Sequence, residues 1–156
     1  LCLGFQVAVI EFARNVLGLE GAHSTEMDAE TPHPVIDLLP EQEGEEEMGG
    51  TMRLGAHTTT IESDSLAERI YDATQCTERH RHRYEVNPDY IDDLESGSLR
   101  FSGQAGRRME ILELEDHPYF LGTQFHPEFR SRPDRTSPPF VGLLRAALDA
   151  SGNDQR

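Results

Sequence analysis

Leu1-Cys2-Leu3-Gly4-Phe5-Gln6 opens the chain and runs without a break into Val7-Ala8-Val9-Ile10-Glu11-Phe12-Ala13-Arg14-Asn15-Val16-Leu17. From Gln6 to Leu17 the apolar residues recur at helical spacing, which predicts a helix with one buried face, and Gly18 predicts its end. A cysteine beside a glycine directly before a helix is typical of a nucleophile elbow, a tight turn that holds a reactive side chain at the helix N-terminus. This stretch therefore predicts the first element of the fold and a candidate nucleophile, Cys2.

The position of Cys2 favours reactivity in principle. Unpaired backbone N–H groups and the positive end of the helix dipole stabilise a thiolate, which is the nucleophilic form of cysteine. The alternative is that Cys2 is a small buried apolar residue, the commoner case for a lone cysteine. A candidate base elsewhere in the chain would favour the nucleophile over the structural residue.

A candidate base lies in Gln124-Phe125-His126-Pro127-Glu128-Phe129. If residues 119–125 form a strand, alternation of side chains places His126 and Glu128 on the same side, and Pro127 ends the pairing. A carboxylate beside an imidazole fixes its tautomer and stabilises the imidazolium, which is how a base that activates a nucleophile is held. Cys2, His126 and Glu128 are thus the candidate catalytic residues.

Composition bounds the class of protein. The 156 residues are 36% hydrophobic, have the length of one domain and contain no apolar run long enough to cross a membrane. The formal net charge is −15, which argues against nucleic acid or an anionic membrane as a partner. Two cysteines do not make a disulfide framework, so a reducing cytoplasm is expected, with Cys76 structural.

The sequence contains no lysine, and all of its positive side chains are arginines. Such an acidic surface suits high salt, where the Debye length falls to ~3 Å at about 1 M and carboxylate repulsion is screened. A halophilic source is therefore expected. The alternative is an ordinary acidic cytosolic enzyme.

The remaining chain reads as short strands and helices. Residues 19–47 are predicted to form a loop in which the acidic run 41–47 is exposed. The other predicted elements are a turn and strand at 49–55, a helix at 65–71 capped by Asp64 or Ser65, a strand within 77–86, a brief helix at 90–94, a hairpin of 99–102 with 109–114, the strand 119–125 and a closing helix at 140–148. This order predicts an α/β domain over residues 1–150 and a frayed tail at 151–156.

Several motifs resemble a known family. The elbow and the segment 125–129 resemble the Cys-His-Glu triad of class I glutamine amidotransferases. Longer segments are similar to the glutaminase domains of the CTP synthase family: Glu11–Val16, His23-Ser24-Thr25-Glu26, Gly49–Gly55, Glu78–Asn87 and His126–Pro133. The likeness runs from Leu1 to about Leu148, with His23 standing where the family has asparagine.

The resemblance implies a fold and a reaction. The fold would be a flavodoxin-like sheet flanked by helices, as in class I glutamine amidotransferases. The reaction would be hydrolysis of glutamine to glutamate and ammonia, with the ammonia passing to a synthase domain in cis that aminates UTP to CTP using ATP and magnesium. A GTP effector and a homotetramer are also implied for the complete protein. No cofactor or metal is expected on this chain.

The resemblance also implies site residues. Besides the triad, Leu3, Gly4, Phe5 and Gln6 at the elbow, together with Glu26 and Arg83, match positions that hold glutamine in the family. A carboxylate such as Glu26 suits the substrate's α-ammonium group, and backbone and side-chain groups around Gln6 and Arg83 suit its carboxylate or its amide. Arg53 and residues 130–132 are expected on the surface or at a domain contact. A metal or phosphate site in residues 79–83 is disfavoured, because interleaved arginines repel cations.

The synthase domain, the glycine-rich oxyanion loop and the strand leading into the elbow have no counterpart in the sequence. We therefore expect the N-terminal part of the amidotransferase domain to be missing and the isolated chain to be inactive, with an exposed sheet edge that promotes association. Two alternatives stay open at this point: a glutaminase domain of another class I amidotransferase, or a non-catalytic regulatory fragment.

Overall fold

A computed structural model describes residues 1–39 and 52–153. Within these residues the helices are α1 (Leu3–Asn15), α2 (Leu66–Tyr71), α3 (Ile91–Glu95) and α4 (Pro138–Asn153). The strands are β1 (His23–Ser24), β2 (Pro34–Asp37), β3 (Arg53–Ile61), β4 (Gln75–His82), β5 (Glu85–Val86), β6 (Leu99–Ala105), β7 (Arg108–Leu114) and β8 (Leu121–Thr123). None of the helices in these two ranges is both long and apolar enough to span a bilayer.

The described strands form two sheets. The larger has five strands in the order β4-β3-β6-β7-β8, and each of its pairings is antiparallel. In the smaller, β2 lies between β1, which it pairs in parallel, and β5, which it pairs antiparallel. Among the described residues, the parallel pairing expected of a flavodoxin-like sheet is thus limited to β1 and β2, because short connections such as the β6–β7 turn join antiparallel neighbours.

The core forms on the buried face of α1, as its periodicity predicts. Phe5, Val9, Phe12 and Ala13 lie on this face and belong to one cluster with apolar residues of β2, β5, α3, β6 and β7. Burial of this stripe fixes the helix against both sheets, and hence fixes the residue at its N-terminus.

Most predicted elements are confirmed, with shifted ends. The first helix runs from Leu3 to Asn15, and Gly18, three residues beyond its end, adopts φ 71°. Ser65 caps α2 by accepting a hydrogen bond from the Glu68 N–H. The predicted hairpin is β6 and β7. The last strand is shorter than expected, ending at Thr123.

Two predictions about irregular segments are wrong. The region read as a loop contains β1 and β2, whose short strands are stabilised by pairing with each other and with β5 and carry too weak a local pattern to be recognised. The closing helix continues through residues 151–153, which were expected to fray. The acidic run 41–47 and the predicted turn at 49–51 lie outside the described residues.

Candidate active site

Cys2 occupies a sharp turn directly before α1. Its φ is 47° and its ψ is −104°, a positive-φ conformation that non-glycine residues rarely adopt. The Cys2 N–H donates to the Thr123 carbonyl over 2.7 Å, which ties the turn to the end of β8. The elbow predicted from the sequence is therefore present, and its backbone strain is of the kind that persists where surrounding structure holds it.

His126 and Glu128 form a direct pair. The Nδ1 atom of His126 lies 2.6 Å from Oε1 of Glu128. Strand alternation was the wrong reason to expect this contact, because the strand ends at Thr123 and a 3₁₀ turn over Pro127–Arg130 follows His126. The turn itself brings the two side chains together on the same side.

The outer edge of β4 connects the two halves of the site. The backbone N–H of His126 donates to the Arg79 carbonyl over 2.8 Å. The Cys2 Sγ lies 3.9 Å from the Arg81 carbonyl oxygen. Carbonyls two residues apart on a strand face the same edge and are spaced by ~6.7 Å. The predicted nucleophile and base are thus held at adjacent points on one strand, although no hydrogen bond joins the Cys2 sulfur to His126 in the described part of the chain.

The surroundings of Cys2 affect its acidity in opposite directions. Burial raises the pKa of the half-buried thiol and is the largest effect, and the Glu128 carboxylate raises it further. The Leu3 N–H and the side chain of Gln124 lower the pKa but do not outweigh burial. The elbow alone therefore leaves the thiol protonated, and a base such as His126 is needed to deprotonate it.

A chain of two amides, which sequence reasoning missed, leads to the sulfur. The Gln6 Nε2 donates to the Tyr84 carbonyl over 2.9 Å and to Gln124 Oε1 over 3.2 Å. Gln124 is completely buried, and its Nε2 lies 3.7 Å from the Cys2 Sγ. The only local signal for it was its place next to Phe125 and His126.

The residues predicted to bind glutamine differ in exposure. Leu3 and Gly4 lie on the exposed first turn of α1, whereas Phe5 is fully buried in the core. Glu26 is exposed just after β1, and Arg83 is half-buried between β4 and β5. No contact with a substrate tests these assignments, so they stay predictions. For Phe5 only the backbone is positioned to contribute.

A buried polar network lies behind β4. Arg53 hydrogen-bonds Glu110, and its side chain is only 10% exposed, so its expected surface position was wrong. His80 and His82 are buried, with Nδ1 of the first 2.9 Å from Nε2 of the second. Burial and the Arg53 charge lower the pKa of His80 to about 2 and that of His82 to about 4.

This network contains metal-ligand atoms but does not favour a cation. His80, His82 and Glu110 each offer a ligand atom, all within 4.8 Å of one another. The two rings bond to each other, and the Arg53 guanidinium bonds to the carboxylate, so a metal would have to displace both contacts and would be repelled by the arginine. Its simplest role is to support β4, whose outer edge contacts the candidate nucleophile and the candidate base.

An arginine-rich groove borders β4 and is open to solvent. A cavity of about 760 Å³ is lined by Leu54, Gly55, Arg79, His80, Arg81, Phe129 and Arg132. Arg130 and Arg132 are exposed, as expected. In a chain of net charge −15, this face concentrates positive charge next to the candidate catalytic residues.

Comparisons with known proteins agree with this geometry. A family model described as glutamine amidotransferase class-I matches residues 1–146. The CTP synthase of Haloarcula marismortui is 71% identical over 150 residues, covering 95% of this chain and 27% of that protein. The CTP synthase of Archaeoglobus fulgidus is 64% identical over 150 residues, covering 95% of this chain and 28% of the relative.

A solved structure is also similar. The glutaminase domain of Trypanosoma brucei CTPS with bound acivicin matches with a TM-score of 0.88 and 38% identity, covering 95% of this chain and 58% of that chain. The predicted fold class is confirmed by this match. The chain spans little more than a quarter of the length of the curated relatives, at 27% and 28%.

Proposed function

This chain belongs to the class I glutamine amidotransferases, and from that membership we propose that it is the glutaminase part of a CTP synthase. Its identity of 71% to the Haloarcula marismortui CTP synthase and its similarity to a CTPS glutaminase domain support this choice over an amidotransferase with another acceptor. The His126–Glu128 pair, anchored to the same strand edge as Cys2, is the observation that carries the proposal.

The reaction follows from the chemistry of the three side chains. His126 takes the Cys2 proton, and the sulfur attacks the side-chain carboxamide carbon of glutamine. The tetrahedral adduct collapses to a γ-glutamyl thioester as the imidazolium protonates the leaving ammonia. His126 then deprotonates a water that cleaves the thioester, which returns the proton to sulfur and releases glutamate. Glu128 orients the imidazole and stabilises its charged form.

Glutamine recognition is assigned to groups around the elbow. Glu26 is proposed to pair with the α-ammonium group and Arg83 with the α-carboxylate. Backbone groups of residues 3–6 would hold the carboxamide, and the Oε1 of Gln6 is the part of that side chain not committed to the Tyr84 and Gln124 contacts. The buried Phe5 supports this arrangement from the core.

The complete protein is proposed to use the released ammonia. A synthase domain in cis would aminate UTP to CTP with ATP and Mg²⁺, in a cytoplasmic homotetramer activated by GTP. We place the ATP, UTP and Mg²⁺ sites outside this chain, whose sequence offers no phosphate-binding loop. No residue described above is assigned to a cofactor.

The test is Cys2→Ala in the full-length protein. Glutamine-dependent CTP formation should be abolished, whereas CTP formation from ammonium salts should be retained, because the second reaction does not need the thiol. Cys76→Ala is the matched control and should keep both activities, since Cys76 is a buried residue of the cluster around Ile61 and Ile111. Retention of glutamine-dependent activity in Cys2→Ala would show that the nucleophile is another residue.

A further inference from the structure

Gln124 presents a hydrogen-bond donor to the nucleophilic sulfur. Its side chain is fully buried, and its Nε2 lies 3.7 Å from the Cys2 Sγ, within the range of an N–H···S hydrogen bond. The backbone N–H of Gln124 donates to the Glu110 carbonyl over 2.8 Å, which fixes the residue beside β7. A buried and anchored amide loses little further freedom when it binds the sulfur.

The orientation of the Gln124 amide follows from the hydrogen bonds of Gln6, which contacts both Gln124 and the Tyr84 carbonyl. A backbone carbonyl only accepts hydrogen bonds, so the Gln6 atom that faces the Tyr84 carbonyl must be its NH₂ group. The same NH₂ group faces Gln124, whose facing atom must therefore be the acceptor, Oε1. The other end of the Gln124 amide, which faces Cys2, is then the NH₂ group. Rotating the Gln6 amide alone would place its oxygen against the oxygen of Gln124. Rotating the Gln124 amide alone would place its NH₂ group against the NH₂ group of Gln6.

We propose that Gln124 is a positioning residue that aims the Cys2 sulfur and stabilises its thiolate through a donated hydrogen bond, with Gln6 and the Tyr84 carbonyl fixing its direction. A donor strengthens its bond as the sulfur gains negative charge, so the contact favours the reactive form more than the resting thiol. The proposal rests on the proposed function for its catalytic meaning. The effect of the Gln124 side chain on the acidity of Cys2 is measurable without glutamine.

A measurement of Cys2 acidity has to separate the effect of Gln124 from the effects of other groups near the sulfur. Glu128 raises the thiol pKa, whereas a hydrogen bond from the Leu3 N–H lowers it. The backbone of His126 is anchored at the neighbouring Arg79 carbonyl of β4. Variants of Gln124 leave all of these groups in place, so a changed titration reports the lost donor.

The experiment measures the rate of Cys2 alkylation by iodoacetamide against pH in the full-length protein, with the modified peptide quantified by mass spectrometry so that Cys76 does not contribute. Gln124→Met keeps the length of the side chain and removes the donor. We expect the midpoint of the rate profile to rise by about one pH unit, which is ~10-fold slower alkylation at a pH below the midpoint. Gln104→Met makes the same chemical change at an exposed position on β6 and should leave the midpoint unchanged.

Gln124→Glu keeps the size and the acceptor for Gln6 and places a carboxylate at the sulfur. Its midpoint should rise at least as far, and it serves as the test if the Met variant fails to fold. Steady-state glutaminase assays on the folded variants should show a lower kcat, recovered at higher pH, with little change in KM. An unchanged alkylation midpoint in a folded Gln124 variant would overturn the proposal. Failure of the Cys2→Ala test would instead overturn the proposed function and leave the Gln124 result standing.

Discussion

The His126–Glu128 contact shows how much of the proposed catalytic pair is encoded locally. Glu128 lies in the 3₁₀ turn and His126 directly precedes it, so the 2.6 Å contact joins residues two apart in the chain. A short carboxylate–imidazole bond favours the imidazolium that forms during acyl transfer, because the negative charge lies beside the ring. The pair was therefore predictable from spacing, although the strand geometry assumed for it was wrong.

Glu128→Gln should keep a hydrogen-bonding side chain but remove the charge. We expect kcat for glutamine hydrolysis to fall by ~10²-fold or more, since general acid–base catalysis contributes ~10²–10⁴-fold, while ammonia-dependent CTP formation is retained. Glu115→Gln, an exposed change after β7, is the control. Hydrolysis at the wild-type rate in Glu128→Gln would contradict the role given to the carboxylate.

His82 predicts a pH dependence of stability. Its pKa is lowered to about 4 in the folded chain by burial and the Arg53 charge. The unfolded chain has a normal pKa of ~6.5 and binds the proton first, so this residue's contribution is present above pH ~6.5 and is lost as pH falls towards about 4, by about 1.4 kcal/mol per pH unit. His80 acts in the same direction. Glu85 has the opposite effect on the pH dependence of stability. Burial raises its pKa to about 8, so the folded chain binds this proton before the unfolded chain does.

The measurement is the free energy of unfolding between pH 4.5 and 6.5 for wild type and His82→Gln. The variant should lose less stability on acidification than wild type over this window. His117→Gln, at an exposed position, should retain the wild-type slope. Equal slopes for wild type and His82→Gln would mean that His82 takes up its proton in the folded state.

At the scale of elements, the sequence predicted what depends on local periodicity and missed what depends on distant pairing. The buried stripe of α1, the Ser65 cap and the β6–β7 hairpin are local and were recognised. β1 and β2 become strands only because they pair with each other and with β5. The Gln6–Gln124–Cys2 chain was missed for the same reason, since it joins residues from opposite ends of the chain.

Gly103 allows β6 and β7 to pack closely. A Cβ atom at this position would lie 2.6 Å from the Cγ1 of Ile111, which is itself fully buried. Gly103→Ala should therefore lower the free energy of unfolding by about 1–3 kcal/mol through overpacking. Gly152→Ala, in α4 with nothing within 4 Å of the new carbon, should be neutral or stabilising by up to about 1 kcal/mol.

Denaturant titration of both variants checks this prediction. The wild-type slope against denaturant should be retained, because the surface exposed on unfolding is unchanged. Equal stability of the two alanine variants would indicate that the sheet relaxes around Gly103 at little cost.

The whole molecule is dominated by its charge. A net charge of −15 without lysine produces self-repulsion that is screened as the Debye length falls from ~10 Å at 0.1 M to ~3 Å at about 1 M salt. The charge was evident from composition, whereas its distribution was not: the concentration of arginines beside the catalytic groups emerged only from the fold.

We expect the melting temperature of the protein to rise as potassium chloride increases from about 0.1 M to molar concentrations. Sucrose at matched osmolality is the control, since it strengthens burial without screening charge and should have a smaller effect. A melting temperature that stays level or falls across the salt series would contradict the halophilic interpretation.

The anchoring of Cys2 and His126 to main-chain oxygens of β4 has an evolutionary consequence. Backbone carbonyls are the same whatever residue carries them, so the alignment of the reactive groups does not depend on the identity of the side chains at positions 79 and 81. Both side chains point away from the interior. Selection can therefore change these two residues to suit a new partner or a new salt concentration while the geometry of catalysis is inherited intact.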